Sequence, residues 1–481
     1  MMRCISTYFH PVTGLIIMAF VFCLSHTDAY GYYDQFTGIY IDGAKWTERE
    51  IVREIDPVGG KLISKIGNSS TYGFGRNNTA FQNPESINTI ETKIILVKAI
   101  LDDGTDRESF ARIDGRFYNS LNSGTEKGDI WAGVHIGDKG SGLQAWWEVF
   151  EATDDSGDTW EEKGSGILVA PGDIIIGNEY TARIEYDGDQ NFTFSVGTAK
   201  ESFTGPAKVN NSFLAYKGLV TGSYSTGGSG NGFTHAEFDD VYINSSTTVY
   251  DDFNTQPLDD TKWKSLEAVK EISSGKLRLD VQASGTQADI DIKPINQKVK
   301  YLEAQMMINS DSKLSAGTTG IIRIAGWFYN DSRGDGSGLP YDGNKGDVWI
   351  RHMIAMRDSK LSVECDIYRC DSAIANGSWT ALFSQIFLKP VSFNKTYTLS
   401  IEQIGKTFHF KCGDELHTYT VTTPMYLPSE GQFRYFQTRI YAGAGHSGYI
   451  KTTLDNVRLK KSGLFFPVKS RSGKISIIYL E

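Results

Sequence analysis

The first residues that could do chemistry lie in the segment VECDIYRCD, at positions 363–371. Glu364 and Asp366 are two positions apart, so on a β-strand both carboxylates project from the same face of the sheet. Two carboxylates on one face are the groups with which a retaining glycosidase cleaves a glycosidic bond. Whether they can act as such a pair depends on the elements that position them.

The start of the chain is typical of a secretory signal peptide. Arg3 supplies positive charge, residues 14–24 form a short apolar run, and a cleavage point follows Ala29. An apolar run of about 11 residues is too short to cross a hydrocarbon layer of roughly 30 Å as a helix. We therefore predict a signal peptide at 1–29, no membrane span, and a secreted, extracellular or cell-surface protein.

The composition predicts an all-β protein. The chain has 50 Gly and only 12 Pro, and short alternating apolar segments are separated by Gly, Asn, Asp and Ser. This pattern, without a long helical period, is typical of β-sandwiches. The net charge of −10 argues against a nucleic-acid partner, because phosphate binding requires clustered Lys and Arg.

The chain contains an internal repeat. The matched segments are 33–46 with 250–263, 112–119 (RIDGRFYN) with 323–330 (RIAGWFYN), 127–131 with 345–349, and 232–243 with 448–459. A repeat of this length predicts two homologous domains, at 30–244 and 249–460. A C-terminal tail with a short β segment follows at 461–481.

The repeated motifs resemble those of the concanavalin A-like lectin/glucanase superfamily. They are the opening YDQF and YDDF with their downstream Trp, a GKL strand, and the closing FDDV and LDNV, and they occur in both repeats. The resemblance implies two tandem antiparallel β-sandwiches of the jelly-roll type. Laminin-G-like domains, carbohydrate-binding modules and laminarinase-type glycoside hydrolases share that fold, so the motifs indicate the fold rather than an activity.

Strand alternation predicts a polar and aromatic face in each domain. The residues expected there are Arg112, Tyr118, Trp146 and Glu148 in the first domain, and Arg323, Trp327, Tyr329 and Asp366 in the second. In lectins that the chain resembles, such a concave face binds sugars, with an aromatic ring against a pyranose and charged groups at its hydroxyls. A solvated sheet face without a ligand is the alternative.

Tryptophans at matched positions are expected to be packing residues, because both repeats need the fold. The matched pairs are Trp46 with Trp263, Trp131 with Trp349, and Trp160 with Trp379. Trp146, Trp147 and Trp327 have no counterpart in the other repeat. Alternation places Trp147 towards the core, which leaves Trp146 and Trp327 as candidates for ligand contact.

The segment 363–371 resembles the catalytic strand of laminarinase-type hydrolases only in part. That strand reads Glu-x-Asp-x-Glu or Glu-x-Asp-x-x-Glu, and Glu364 and Asp366 match its first two positions. Tyr368 and Arg369 stand where the last Glu, the acid/base, would be. Without a proton donor the leaving group cannot be protonated. We expect no catalytic residues; a hydrolase would depend on Glu364 and Asp366.

Acidic residues in the opening and closing segments suggest one cofactor, calcium. Asp34, Asp239, Asp251 and Asp455 would come together if the first and last strands of a domain pair. Calcium takes roughly six to eight oxygen ligands, which carboxylates supply. The alternative is that these side chains cap turns.

Signal-peptide removal would leave three cysteines, Cys365, Cys370 and Cys412, and so at most one disulfide. Cys365 and Cys370 would lie about 16 Å apart on an extended strand, too far to bridge each other. Cys412 is therefore predicted to pair with one of them.

These patterns predict a secreted, non-catalytic protein that binds polysaccharide or glycan. The alternatives are a laminarinase-type glycoside hydrolase and a laminin-G-like adhesion protein with a protein partner. The tail contains KISIIYL at 474–480, a strong β former. It is either one strand of a hairpin on the second domain or an edge strand for a protein partner.

Overall fold

The computed structural model describes residues 31–56, 58–68, 74–331, 344–373, 377–429 and 431–461, and the backbone of 467–469 and 475–477. The predicted signal peptide lies outside these residues. Within them, a 3-10 turn at Pro84–Ser86 is the only helical element. No helix in the described part of the chain is long and apolar enough to cross a membrane.

Thirteen strands belong to the first half of the chain. They are β1 Ile51–Asp56, β2 Lys61–Gly67, β3 Phe74–Ala80, β4 Thr89–Ile100, β5 Thr105–Asn119, β6 Asp129–Asp138, β7 Leu143–Ala152, β8 Trp160–Val169, β9 Glu179–Tyr186, β10 Asn191–Val196, β11 Ala199–Thr204, β12 Tyr216–Thr226 and β13 Phe233–Ile243. Burial alternates along strands such as β10, because successive side chains of a strand point to opposite faces.

Fifteen strands form the body of the second half. They are β14 Ala268–Ser273, β15 Lys276–Ser284, β16 Ala288–Ile292, β17 Val299–Ile308, β18 Lys313–Leu314, β19 Thr319–Asn330, β20 Asp347–Arg357, β21 Lys360–Cys370, β22 Trp379–Ile386, β23 Tyr397–Ile404, β24 Thr407–Cys412, β25 Glu415–Thr420, β26 Phe433–Tyr441, β27 Ser447–Ile450 and β28 Thr452–Lys461. In the tail, β29 Pro467–Lys469 pairs with β30 Ile475–Ile477, so the described tail backbone is a short hairpin.

One long sheet runs through both halves, and each half adds a six-stranded sheet. The long sheet has the order β11-β10-β9-β4-β13-β2-β1-β14-β15-β28-β17-β23-β24-β25. The six-stranded sheets are β3-β12-β5-β6-β7-β8 and β16-β26-β19-β20-β21-β22. Each packs on its half of the long sheet over one apolar core. The predicted fold class, all-β with antiparallel sandwiches, is confirmed.

The opening segment of each repeat packs into the core of the other repeat. Phe36 and Trp46 lie in the core of the second half, whereas Phe253 and Trp263 lie in the core of the first. The backbone bridges agree: Asp34 pairs with Val457, and Val241 pairs with Asp251. Each packed sandwich therefore takes its opening segment from the other repeat, and the halves are interlocked.

The same hydrogen-bonded geometry, which we term the clasp, holds each of the two crossing segments. Asp34 accepts hydrogen bonds from the Trp46 indole at 2.7 Å and from the backbone N–H of Phe36 at 2.9 Å. In the second clasp Asp251 accepts the same bonds, from the Trp263 indole at 2.6 Å and from the backbone N–H of Phe253 at 3.1 Å. In both clasps the Phe has a positive φ, 49° and 50°, which bulky residues rarely adopt. The Asp bonds and Phe–Trp stacking hold that conformation.

Buried polar groups join the halves at the antiparallel pair β1–β14. Glu267 is 1 % exposed and accepts hydrogen bonds from the Ile55 N–H and from Gln256 Nε2, each at 3.1 Å. Burial raises the pKa of the Glu267 carboxyl to about 7. A carboxyl at the junction therefore titrates near neutral pH.

The predicted disulfide is not formed. Cys365, Cys370 and Cys412 form no disulfide, and all three are buried. Cys365 lies on β21 and Cys412 on β24, which belong to two sheets packed face to face. Such sheets lie about 10 Å apart, whereas a disulfide needs Cα atoms roughly 6 Å apart. Burial also raises the pKa of the Cys365 thiol to about 12, so the thiol stays protonated.

The crossed clasps predict a crossed response to mutation. Trp46→Ala should destabilise the sandwich at 264–461, and Trp263→Ala the sandwich at 51–243. Each should cost about 4 kcal/mol, because the substitution leaves a large cavity and an unpaired Asp. Hydrogen exchange read by mass spectrometry would show which strands lose protection. If Trp46→Ala instead reduced protection at 51–243, or Trp263→Ala at 264–461, the crossing of the opening segments would be contradicted.

The Glu267 carboxyl predicts a pH dependence of stability. Its folded pKa lies above the unfolded value, so its contribution is complete below about pH 4.5 and is lost as pH rises through 7. The wild type should therefore lose stability between pH 4.5 and 8, whereas Glu267→Gln, which cannot titrate there, should not. The free energy of unfolding of the variant minus that of the wild type should rise by about 3 kcal/mol at most over this range. Urea unfolding of both proteins across this range measures the gain. If the difference in free energy of unfolding between the two proteins stayed constant with pH, the raised pKa of Glu267 would be contradicted.

Candidate functional site

The outward face of each six-stranded sheet carries most of the predicted binding residues. We call these the first outer face, on β5–β8 and β12, and the second outer face, on β19–β22 and β26. Arg112 and Glu148 lie on the first, and Trp327 and Asp366 on the second, because they alternate with residues of the two cores.

Two predicted binding residues lie in the cores instead. Tyr118 and Tyr329 are 0 % and 1 % exposed and stack on Tyr186 and Phe408. The pairing register shifts between Arg116 and Tyr118, and likewise at Tyr329 in the second half. Such a bulge inserts an extra residue and turns the following side chain to the other face. The placement of these tyrosines on the binding face is therefore wrong.

The first outer face is covered by its own side chains. Trp146 is only 3 % exposed. Its ring stacks on His135 at 4.6 Å, and Lys139 Nζ lies 4.9 Å from its centroid. Phe110 and Val220 pack beside it. The indole that alternation placed on the outside offers no open surface to a ligand.

Charges on the first outer face are balanced locally. Asp114 forms ion pairs with Arg112 at 2.8 Å and Arg76 at 3.2 Å. Lys139 lies 2.6 Å from Glu148 and 3.3 Å from Glu108, so three cations meet three carboxylates. Burial and the nearby positive charges hold the pKa of His135 well below its ordinary value. His135 is therefore neutral, and the face is a closed polar network.

The second outer face carries an open group of rings. Trp327 stacks on Trp379 at 5.4 Å, and Trp349 contacts Trp379 at 6.0 Å. All three rings, which we call the tryptophan cluster, are partly exposed. The Arg351 guanidinium lies 5.3 Å from the Trp349 ring and 5.1 Å from the Tyr368 ring. The arrangement presents flat aromatic and cationic groups side by side.

The carboxylates of the segment 363–371 are bound by arginines. Glu364 forms a bidentate ion pair with Arg357 and accepts a hydrogen bond from Ser362 at 2.6 Å. Asp366 accepts hydrogen bonds from Arg351 at 2.9 Å and from Ser384 at 2.6 Å. These contacts fix the arginines on the outer face.

Several residues of this surface were missed by sequence reasoning. Trp349 and Trp379 were expected to be packing residues, and Arg351 was not singled out. Trp349 and Arg351 alternate with buried Val348 and Ile350 on β20, and this alternation could have placed them on the outer face. By contrast, Trp46, Trp263 and Trp147 are buried as predicted.

The four aspartates considered for calcium do not meet. Because the opening segments cross, Asp34 lies near the closing strand that carries Asp455, and Asp251 bridges to the strand of Asp239. Asp239 and Asp455 each accept the next residue's backbone N–H at 2.7 Å. No group of three or more His, Cys, Asp or Glu within the described residues is placed to hold a metal ion. The capping alternative accounts for these bonds.

The structure is similar to solved proteins with jelly-roll folds. These include a Bacillus licheniformis β-glucanase (14% identity, 40% of this chain and 82% of that chain, TM-score 0.25). The carbohydrate-binding module CBM66 from Bacillus subtilis matches at 12% identity over 38% and 84%, with a TM-score of 0.21. Domains LG4-5 of the mouse laminin α1 chain match at 10% identity over 83% and 90%, with a TM-score of 0.23.

No protein-family model and no curated protein matches the chain. The structural similarities concern the fold and carry no argument about activity, because the identities and TM-scores are low.

The two ion pairs of 363–371 predict a ranking of stability losses. Asp366→Asn should cost about 2 kcal/mol, because its side chain is 5 % exposed and Arg351 would lose its partner. Glu364→Gln should cost less, about 1 kcal/mol, because the Arg357 side chain is 46 % exposed and water can replace the carboxylate. Urea unfolding of both variants tests the order, and a larger loss for Glu364→Gln would contradict it.

Proposed function

We propose that this chain is a secreted, non-catalytic carbohydrate-binding protein whose ligand lies on the second outer face. The observation that carries the proposal is the tryptophan cluster. Three partly exposed rings on one rigid sheet are a surface that stacks on the apolar side of sugar rings. Arg351 and Tyr368 beside them supply groups that hydrogen-bond to hydroxyls.

The surface is held in place before a ligand arrives. Asp366 holds Arg351 at 2.9 Å, and the guanidinium stacks between Trp349 and Tyr368. A side chain ordered by its neighbours loses little conformational entropy on binding. The ion pairs therefore support binding by fixing the positions of the recognising groups.

Hydrolysis is not favoured by the same geometry. A retaining mechanism needs a free nucleophilic carboxylate and a carboxylic acid roughly 5 Å away. Glu364 and Asp366 both bind arginine, and Tyr368 stands in the position of the acid. On the first outer face, Trp146 and Phe150 flank Glu148 at the matched positions.

Affinity electrophoresis through gels with soluble polysaccharides tests the proposal. The protein should be retarded by at least one polymer, and Trp379→Ala should weaken its affinity about ten-fold, because one stacking surface is lost. Trp131→Ala, at the position on the first outer face that matches Trp349, is the control and should bind like wild type. Incubation of the protein with the polymer that retards it should release no reducing sugar.

If no polymer of the panel retarded the protein, the proposal would be overturned. Equal losses of polymer affinity in Trp131→Ala and Trp379→Ala would contradict the assignment of the ligand to the second outer face. Release of reducing sugar that disappears in Asp366→Asn would establish the hydrolase alternative instead.

A further inference from the structure

Arg323, on the second outer face, carries a buried charge without an acidic partner. Its side chain is fully buried and donates hydrogen bonds to the hydroxyls of Tyr441 at 3.1 Å and Tyr435 at 3.3 Å, and to Gln437. Its guanidinium lies 4.6 Å from the Trp349 ring centroid. Within the described part of the chain, no carboxylate forms an ion pair with it, and its Nε has no acceptor. Uncompensated buried charge is costly.

The matched arginine in the first half is neutralised. RIDGRFYN aligns with RIAGWFYN, so Arg112 corresponds to Arg323 and Asp114 to Ala325. Asp114 lies 2.8 Å from Arg112, whereas the methyl group of Ala325 offers no charge at that place. One fold thus holds the same arginine with a carboxylate in one half and without one in the other.

Positive charge converges around Tyr441. The Arg439 guanidinium lies 4.9 Å from the Tyr441 ring, and Arg351 is near enough for its charge to act on the Tyr441 phenol and lower its pKa. Asp366 pairs with Arg351 at 2.9 Å, and Asp289 pairs with Arg439 at 3.4 Å. Three arginines therefore face two carboxylates. Burial would raise the pKa of the Tyr441 phenol, yet the three arginines hold it below its ordinary value. Arg351 and Arg439 remain 15 % and 18 % exposed, so a ligand can reach them.

We infer that the second outer face binds an acidic polysaccharide, with a carboxylate or sulfate group held at Tyr441 by Arg323, Arg351 and Arg439. The inference rests on the proposed function and specifies its ligand class. The tryptophan cluster contacts the sugar rings, and the anionic group supplies the charge that Asp114 supplies internally in the first half. Because the whole chain has a net charge of −10, a polyanion is repelled elsewhere and attracted only where positive charge is concentrated.

Paired gels that differ only in charge test the inference. The protein is run through dextran and dextran sulfate, and through polygalacturonate and its methyl ester, beside a non-binding reference protein. The acidic member of at least one pair should retard it, and raising salt from about 50 to 200 mM should weaken the effect. Retardation by dextran sulfate alone indicates a sulfate ligand, and by polygalacturonate alone a carboxylate ligand; both support the inference.

Two variants place the ligand group. Ala325→Asp introduces the carboxylate that the first half has, and should weaken retardation by the acidic polymer about ten-fold. Arg439→Gln should have a similar effect; its side chain is partly exposed, so the variant tests the site even if Ala325→Asp does not fold. Lys139→Gln removes one partly exposed positive charge from the first outer face, so it is the control and should bind like wild type.

Retardation by neutral polymers alone would overturn this inference and leave the proposed function standing. No retardation by any polymer would overturn both. Acidic-polymer binding that survives unchanged in folded Ala325→Asp and Arg439→Gln would also overturn the assignment to Tyr441.

Discussion

The hydrogen bond from the Trp46 indole to Asp34, with its counterpart from Trp263 to Asp251, decides how the two cores close. Each bond anchors a segment that has crossed from the other repeat. The same carboxylate fixes the positive φ two residues later, so one side chain sets both the path of the backbone and the place of the ring. Both sandwiches depend on this exchange, because neither core is complete with its own repeat alone.

The two halves have separate cores of similar apolar residues, and they differ in the residues of their outer faces. Where the first half has Asp114 and Arg116, the second has Ala325 and Trp327. The first face closes into ion pairs over Trp146. The second keeps open rings, and its Arg323 has no carboxylate partner among the residues that the structure describes. The cores constrain the inward residues tightly, since close packing tolerates little change. The outward residues are free of that constraint, and this is where a binding surface can arise.

The acidic segment 363–371 shows how a catalytic-looking pattern can serve a different purpose. A retaining glycosidase can place its two carboxylates on one strand face, yet whether such groups are protonated and unpaired depends on neighbouring strands. Here Arg351 comes from β20, and Arg357 from the end of the same strand. Both carboxylates therefore orient arginines, which leaves planar cations and aromatic rings on the outer face.

The sequence by itself determined the strand content, the two matched halves and the alternation that places residues such as Arg112 and Asp366, because the side-chain period of a strand is local. It also marked the segment 363–371 as lacking an acid. Only the tertiary structure decided three other features. The opening segments cross, because the order of packing is set by long-range contacts. Bulges turn Tyr118 and Tyr329 inward, because one extra residue reverses the alternation. The Arg323 guanidinium lies among groups of β20 and β26, such as Trp349 and Tyr441, which no local pattern connects to it.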